Sequence, residues 1–363
     1  MKVSKIELIK QSTPLKKPFK TALRTAYAAD EMIVRITADT GEVGYGAAPP
    51  TAVITGDTIH SIAGNIEEFI APRLMNQDLD EIENLLHTVS SVLVNNNSAK
   101  AAVDMALYDL WAKKNKAPLY KLLGGSRSKL ETDITISVNA PEEMADDAHD
   151  AVQQGISMLK IKVGNDAKLD LDRVTAVRER VGKDVLIRLD ANQGWTRKEA
   201  VRIIRQMEDM DLQIELVEQP VKAHDLEGLK FVTDQVETPI LADESMFSAR
   251  DALKILEMRA ADLVNIKLMK CGGIYQALKI NAIAESYGVE CMLGCMLESS
   301  IGITAAAHLA AAKKNITRVD LDSALLLAEN RVIGGVQYKG SEITLGVGFG
   351  LGIEGIQLST EYV

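Results

Sequence analysis

The sequence predicts an α/β barrel, a modified TIM barrel of (β/α)7β type, joined to an α+β capping domain. Three observations carry that expectation. Short β-branched, apolar runs recur through the middle of the chain: MLKIKV, VLIRLD, IELVE, PILADE and DLVNIK. Each delivers charge at or near its end, in the order Lys160 and Lys162, Asp190, Glu218, Asp243, Lys267. From Lys162 onward these charges stand 28, 28, 25 and 24 residues apart, which leaves room for one helix and two loops in every gap. Strands alternating with helices imply parallel pairing and, when sustained, a barrel whose strand C-termini carry the chemistry. The same reading adds strands at 134–138, 289–294 and 316–321, which brings the count to eight.

The elements ahead of the barrel follow another pattern. Residues 2–9, 32–38 and 43–46 read as strands of a hairpin meander, with a turn at Asp39-Thr40-Gly41-Glu42. Helices are expected near 57–73, 81–94 and 98–114. The last opens on Ser98 as an N-cap and sets Ala102, Val103, Ala106, Leu107, Leu110 and Trp111 at helical spacing, a face suited to core packing. The stretches 14–27 and 48–56 connect these elements and could close over a barrel mouth. Domain limits are therefore expected at 1–125 for the cap, 126–322 for the barrel, and 323–363 for a segment returning to the cap. Within that segment, residues 345–352 interleave glycine with apolar side chains, as a packed strip does and a free linker does not. Gly44-Tyr45-Gly46 and Cys271-Gly272-Gly273 lack the spacing and context of a dinucleotide or phosphate loop and read as turns.

In a closed eight-stranded barrel, strands two and six face each other and strands three to five span the side between them. The lysines belong to the opposed strands and the acids to the intervening three. The two-residue strand period aims Lys160 and Lys162 at one face. Three carboxylates converging at a mouth repel one another unless a cation neutralises them, and an all-oxygen set suits a hard divalent ion, Mg2+, one per subunit. Zinc fits less well, because the five histidines and three cysteines stand outside the acid set with no ligand spacing. A substrate carboxylate held by such a metal has an α-proton that becomes removable once the developing enediolate is stabilised. Lysine serves as the base if burial and a neighbouring positive charge lower its pKa. Two bases on opposite faces of one carbon imply racemisation or epimerisation.

The segments LKIKV, DANQGW, VEQP, ADES and NIKLMK, in this order and spacing, resemble the muconate-lactonising branch of the enolase superfamily, and its dipeptide epimerases in particular. The lysine base and metal-stabilised intermediate of that superfamily are a standard example of pKa tuning. The resemblance covers essentially the whole chain. It implies that Asp190, Glu218 and Asp243 hold magnesium, that Lys162 and Lys267 are the paired acid/base residues, and that Lys160 assists carboxylate binding. It further implies that Asp320 and Asp322 grip the free ammonium group of a dipeptide, as two carboxylates at i and i+2 can. By the same resemblance 14–27 and 48–56 are specificity loops. Arg24 in the first could pair bidentately with an acidic substrate side chain, which favours L-Ala-L-Glu and a muropeptide-recycling role. Glu298, after the seventh strand, is expected to face the mouth and to order water or a substrate amide; Asn192 and Asn265 are candidates for orienting the ligands.

Rival readings are an epimerase of hydrophobic or cationic dipeptides, a cycloisomerase or o-succinylbenzoate synthase, an N-succinylamino acid racemase, and a non-catalytic metal and carboxylate binder. Asp320 and Asp322 argue against the cycloisomerase, and retention of both Lys162 and Lys267 against the binder. A net charge of −10 disfavours nucleic-acid or anionic-membrane partners. The start of the chain alternates lysine with apolar residues, unlike a secretory signal, so a cytoplasmic protein is expected. Cys271, Cys291 and Cys295 are assigned to packing. A homo-oligomer is compatible with the sequence, which does not require one.

Overall fold

In the computed structural model, residues 1–357 are described; the end of the expected returning segment, 358–363, lies outside them. Eight parallel strands follow one another around a barrel: Ile134–Ile136, Met158–Lys162, Leu186–Asp190, Ile214–Glu218, Ile240–Ala242, Leu263–Lys267, Cys291–Gly294 and Ile316–Asp320. Each pairs with its neighbours in sequence, so the second and sixth stand across from each other. The seam between last and first strands is thin. It consists of a parallel bridge from Thr132 to Val319 and the Leu321 N–H donated to Thr132 Oγ1 at 2.8 Å.

Helices fill the seven crossovers, several of them amphipathic, whereas Ser300–Ala312 is buried along its whole length. In Arg197–Asp209, a capping box between Thr196 and Glu199 starts the helix, and Ala200, Ile203, Ile204 and Met207 form its buried stripe. Inside the barrel, alternate residues build layers. Leu216, Leu241, Leu263 and Met292 make an apolar plug from four consecutive strands, each side chain stabilising the fold by about 2 kcal/mol. Two residues further along the fourth and fifth strands come Glu218 and Asp243, so the strand period that buries the plug also lifts the charges to the mouth. Arg188, two residues before Asp190, donates to Asp133 at 2.8 Å, to Glu215 at 2.5 Å and to the Val319 carbonyl at 3.0 Å, linking the third strand to the seam.

The cap differs from its expected form at four places. Val3–Lys20 and Thr25–Ala38 make one long antiparallel hairpin, so most of 14–27 is strand and only 21–24 turn the chain. Lysines, Pro14 and Pro18 hide the alternation there, because this outer half reaches over the barrel and has no single core face. Gly44 and Gly46 lie within the strand Val43–Ala48, where a Cβ would meet Ala106 O at 2.2 Å and Ala102 O at 1.8 Å. They are glycine because a helix backbone crosses them. That helix, Asn97–Lys114, is not capped by Ser98; the Ser98 N–H donates instead to Asp57 at 3.2 Å, a carboxylate from 41 residues earlier. The expected helix at 57–73 runs as Ile59–Asn65, a π turn at Ile66–Ile70, and Ala71–Leu74.

After the last barrel strand, Glu342–Thr344 pairs with Lys129–Glu131, and Val332–Gly334 with Ile353–Ile356. The chain then meets the cap: Leu119 N–H donates to Gly350 O, Gly350 N–H to Ala117 O, and Leu351 N–H to Asp109. Among the described residues no helix is long and apolar enough to cross a membrane.

Candidate active site

The strand ends bring the spaced charges together at the barrel mouth. Lys160 and Lys162 rise from the second strand, Asp190 and Glu218 close the third and fourth, Asp243 directly follows the fifth, and Lys267 ends the sixth. All six are buried. Lys160 Nζ lies 2.5 Å from Glu218 Oε2, 2.8 Å from Asp320 Oδ2 and 3.1 Å from Asp190 Oδ2. Lys162 Nζ lies 2.5 Å from Asp190 Oδ2. On the opposite wall, Lys267 Nζ lies 2.7 Å from Asp243 Oδ2 and 3.9 Å from Glu218 Oε1.

Each carboxylate also has one oxygen held by a group other than these lysines. Asp190 Oδ1 accepts from Asn192 N at 2.9 Å, which a left-handed Asn192 (φ 42°) makes possible. Glu218 Oε1 accepts from Asn265 Nδ2 at 2.6 Å. Asp243 Oδ1 accepts from Lys270 Nζ, which also donates to the carbonyls of Asp243 and Asn265. The spacing did not select Lys270, since a lysine in a turn after a strand looks like any other cation.

Burial would push all these carboxyls up, and their partners decide the outcome. Lys160 and Lys162 overcome it at Asp190, and Lys267 and Lys270 at Asp243, so both stay well below the carboxylate range. Glu218 is pushed up to about 8 by burial and the Asp190 charge. Burial works against the ammonium of Lys160, but Asp190, Asp320 and Glu218 hold its pKa well up. Asp243 and Glu218 likewise outweigh burial at Lys267 and raise it. This departs from the lowered lysine expected of a base, for a physical reason: the carboxylates that suit a cation face the amine directly.

The donor chemistry fits a hard divalent cation. Three buried carboxylates stand at the ends of consecutive strands with oxygen as their only donor type, their oxygens paired to lysines and not all within 4.8 Å of one another, and among the described residues the side-chain oxygens of Asn192 and Asn265 are buried without a hydrogen-bond partner. Among the described residues, the one group of three candidate ligands whose donor atoms all lie within 4.8 Å is Cys295, Asp320 and Asp322. In that group burial, then the charges of Asp320 and Asp322, keep the Cys295 thiol well above its usual range, so it stays protonated. What remains is a pair of carboxylates suited to an ammonium group. Asp322 Oδ2 accepts from Thr135 N at 2.6 Å, and burial with the Asp320 charge lifts this carboxyl to about 6. Lys160 and Lys267 outweigh burial at Asp320 and lower it.

The mouth cavity is lined by the three lysines Lys160, Lys162 and Lys267, by Asp320 and Asp322, and, from the hairpin, by Phe19 and Arg24. Residues Val53 and Ile54, in the expected 48–56 loop, also reach it. The Phe19 ring centre is 5.9 Å from Lys162 Nζ. Burial lowers the Arg24 guanidinium, and among the described residues no carboxylate stands beside it to offset the cost. Glu298 differs from expectation. Its carboxylate accepts from Met296 N of its own loop at 2.9 Å and crowds Gly302, while Cys295, Met296 and Leu297 line the mouth in its place. It serves the loop's shape, as a short turn onto a helix start allows.

Two family descriptions match the chain: "Mandelate racemase / muconate lactonizing enzyme, N-terminal domain" over residues 4–124, and "Enolase C-terminal domain-like" over 143–357. The L-Ala-D/L-Glu epimerase of Clostridium acetobutylicum is 56% identical over 95% of this chain and 96% of its own. The substrate-liganded L-Ala-D/L-Glu epimerase from Bacillus subtilis superposes with a TM-score of 0.98 at 56% identity, covering 99% of this chain and 100% of that one. The dipeptide epimerase from Enterococcus faecalis V583, complexed with Mg and the dipeptide L-Leu-L-Tyr, gives 0.94 at 48% identity, covering 97% and 99%. With both domains matched and opposed lysines flanking an acid trio, the chain belongs to the mandelate racemase / muconate lactonizing enzyme family of the enolase superfamily and is an isomerase of the racemase/epimerase kind.

Proposed function

We propose that this enzyme is a magnesium-dependent epimerase of dipeptides, and that it acts on L-Ala-L-Glu by inverting the carbon of the second residue. The observation that carries the reading is Lys162 and Lys267 on facing strands, with the carboxylates of Asp190, Glu218 and Asp243 between them. Those carboxylates would hold the metal, which when bound draws charge from the substrate carboxylate and makes the α-proton acidic. Lys160 adds a fixed positive charge beside the same carboxylate. One lysine takes the α-proton from its own face, and its opposite returns one from the other. Asp320 and Asp322 receive the peptide's free ammonium group, which an N-acylated or lactonisable substrate lacks. Arg24 pairs with the second residue's side-chain carboxylate; this favours Glu over the apolar residues that a hydrophobic dipeptide epimerase accepts.

Incubation with Mg2+ and L,L-dipeptides in D2O tests the whole reading. Exchange of the second α-proton with formation of the L,D diastereomer is expected, fastest for L-Ala-L-Glu. Lys162→Ala and Lys267→Ala should each abolish inversion while leaving exchange of one diastereomer, not the same one in both. A dehydrated product, or no exchange with any dipeptide, would sink the proposal.

A further inference from the structure

Three carboxylates at the mouth share one pattern: one oxygen is gripped by a fixed group and the other faces a lysine. The fixed groups differ in kind. Asp190 is held by a backbone N–H and Glu218 by the neutral amide of Asn265, whereas Asp243 is held by a second ammonium. Lys270 is only 1% exposed and lies on the first turn of Leu268–Cys271, three residues beyond Lys267. Its three donations to Asp243 Oδ1, Asp243 O and Asn265 O use all its hydrogens, and the Phe247 ring centre lies 5.7 Å away. It does not line the mouth cavity, so it cannot reach substrate. A packing role alone would not need a charge there. A desolvated ammonium is costly unless it compensates a carboxylate.

We propose that Lys270 is a positioning residue that fixes Asp243 and draws its charge away from Lys267. With Oδ1 tied down, Asp243 turns Oδ2 alone toward the site, where Lys267 stands at 2.7 Å. With half its charge already balanced, Asp243 holds the Lys267 amine less tightly than an unshielded aspartate would. Asp190 needs no such cation, because Lys160 and Lys162 share its Oδ2 between them. Among the described residues, Asp243 has only Lys267 within ion-pair distance on its site-facing oxygen. Lys270 therefore supplies on the Lys267 side what Lys160 supplies on the Lys162 side. The role rests on the reading of the acid trio and paired lysines given above.

The test uses Lys270→Met, close in volume and uncharged, and Lys270→Gln, which keeps a donor to Asp243 without the charge. Calorimetry on the substrate-free protein should give a Mg2+ dissociation constant about tenfold tighter in both variants, because a like charge beside the site has gone. Exchange in D2O should fall at least tenfold more for the diastereomer that Lys267→Ala also silences than for the other, with KM for the dipeptide within about threefold of the parent. Unchanged or weaker Mg2+ binding in Lys270→Gln would overturn the shielding role, and so would equal loss for both diastereomers. Exchange of both diastereomers by the unmodified enzyme is the control; if it is missing, the epimerase reading has failed and the calorimetric arm still judges Lys270. Should Lys270→Met not fold, Lys270→Gln decides alone.

Discussion

Arg24 shows how a single residue could set substrate choice. Its guanidinium lines the cavity from the hairpin tip, and among the described residues no carboxylate stands beside it to repay its burial, so an acidic substrate side chain would complete it. Arg24→Leu should lower kcat/KM for L-Ala-L-Glu roughly 10- to 100-fold, the scale of one charge-assisted hydrogen-bonded pair. Dipeptides with an apolar second residue should be spared or improved. Parallel losses for acidic and apolar substrates in a kinetic panel would reject the role. The charged residues of the mouth could be picked out in the sequence because strand period and βα spacing both point at them. Lys270 could not, and Glu298 could be singled out but not placed, since both depend on how the chain folds back after a strand, and periodicity carries no information about that.

Among the elements, the barrel strands were the most legible, because each pairs a β-branched run with a charge at a fixed offset. The outer half of the hairpin was not. It packs across domains, so its residues answer to the barrel as well as to their own sheet. The strand at 43–46 was legible, but its close packing on helix Asn97–Lys114 was hidden for a related reason: Gly44 and Gly46 look like turn residues until the crossing helix is seen. Gly46→Ala provides the check. Its Cβ would sit 1.8 Å from the Ala102 carbonyl, so strand and helix must separate. A loss of about 3 kcal/mol in denaturant unfolding is expected, the upper range for overpacking. A change under about 0.5 kcal/mol would mean that the close approach does not constrain the cap.

At the scale of the whole molecule, cap and barrel meet at buried polar groups, and one of them makes stability depend on pH. His308, on the barrel helix Ser300–Ala312, accepts the Tyr120 N–H of the cap at 3.1 Å, and burial depresses its pKa to about 3. A histidine with a lowered folded pKa contributes stability that is complete above its unfolded value of about 6.5 and disappears as pH falls from there toward about 3. The loss should be about 1.4 kcal/mol per pH unit, or roughly 2 kcal/mol by pH 5. His308→Gln keeps an acceptor for Tyr120 and cannot be charged, so its unfolding free energy should fall less steeply between pH 7 and 5. Identical slopes would refute the assignment.

The thin seam of the barrel has a consequence for the order in which the chain can be assembled. The last strand, Ile316–Asp320, follows the first, Ile134–Ile136, by some 180 residues. On a ribosome emitting residues one by one, the outer rim of that first strand therefore has no barrel neighbour until the eighth strand has emerged. Through that interval an unpaired strand border offers itself to any other chain nearby. Lys129–Glu131, just upstream, must also wait, because its partner Glu342–Thr344 is made later still. The lock on this cylinder is the last of its eight strands to be translated.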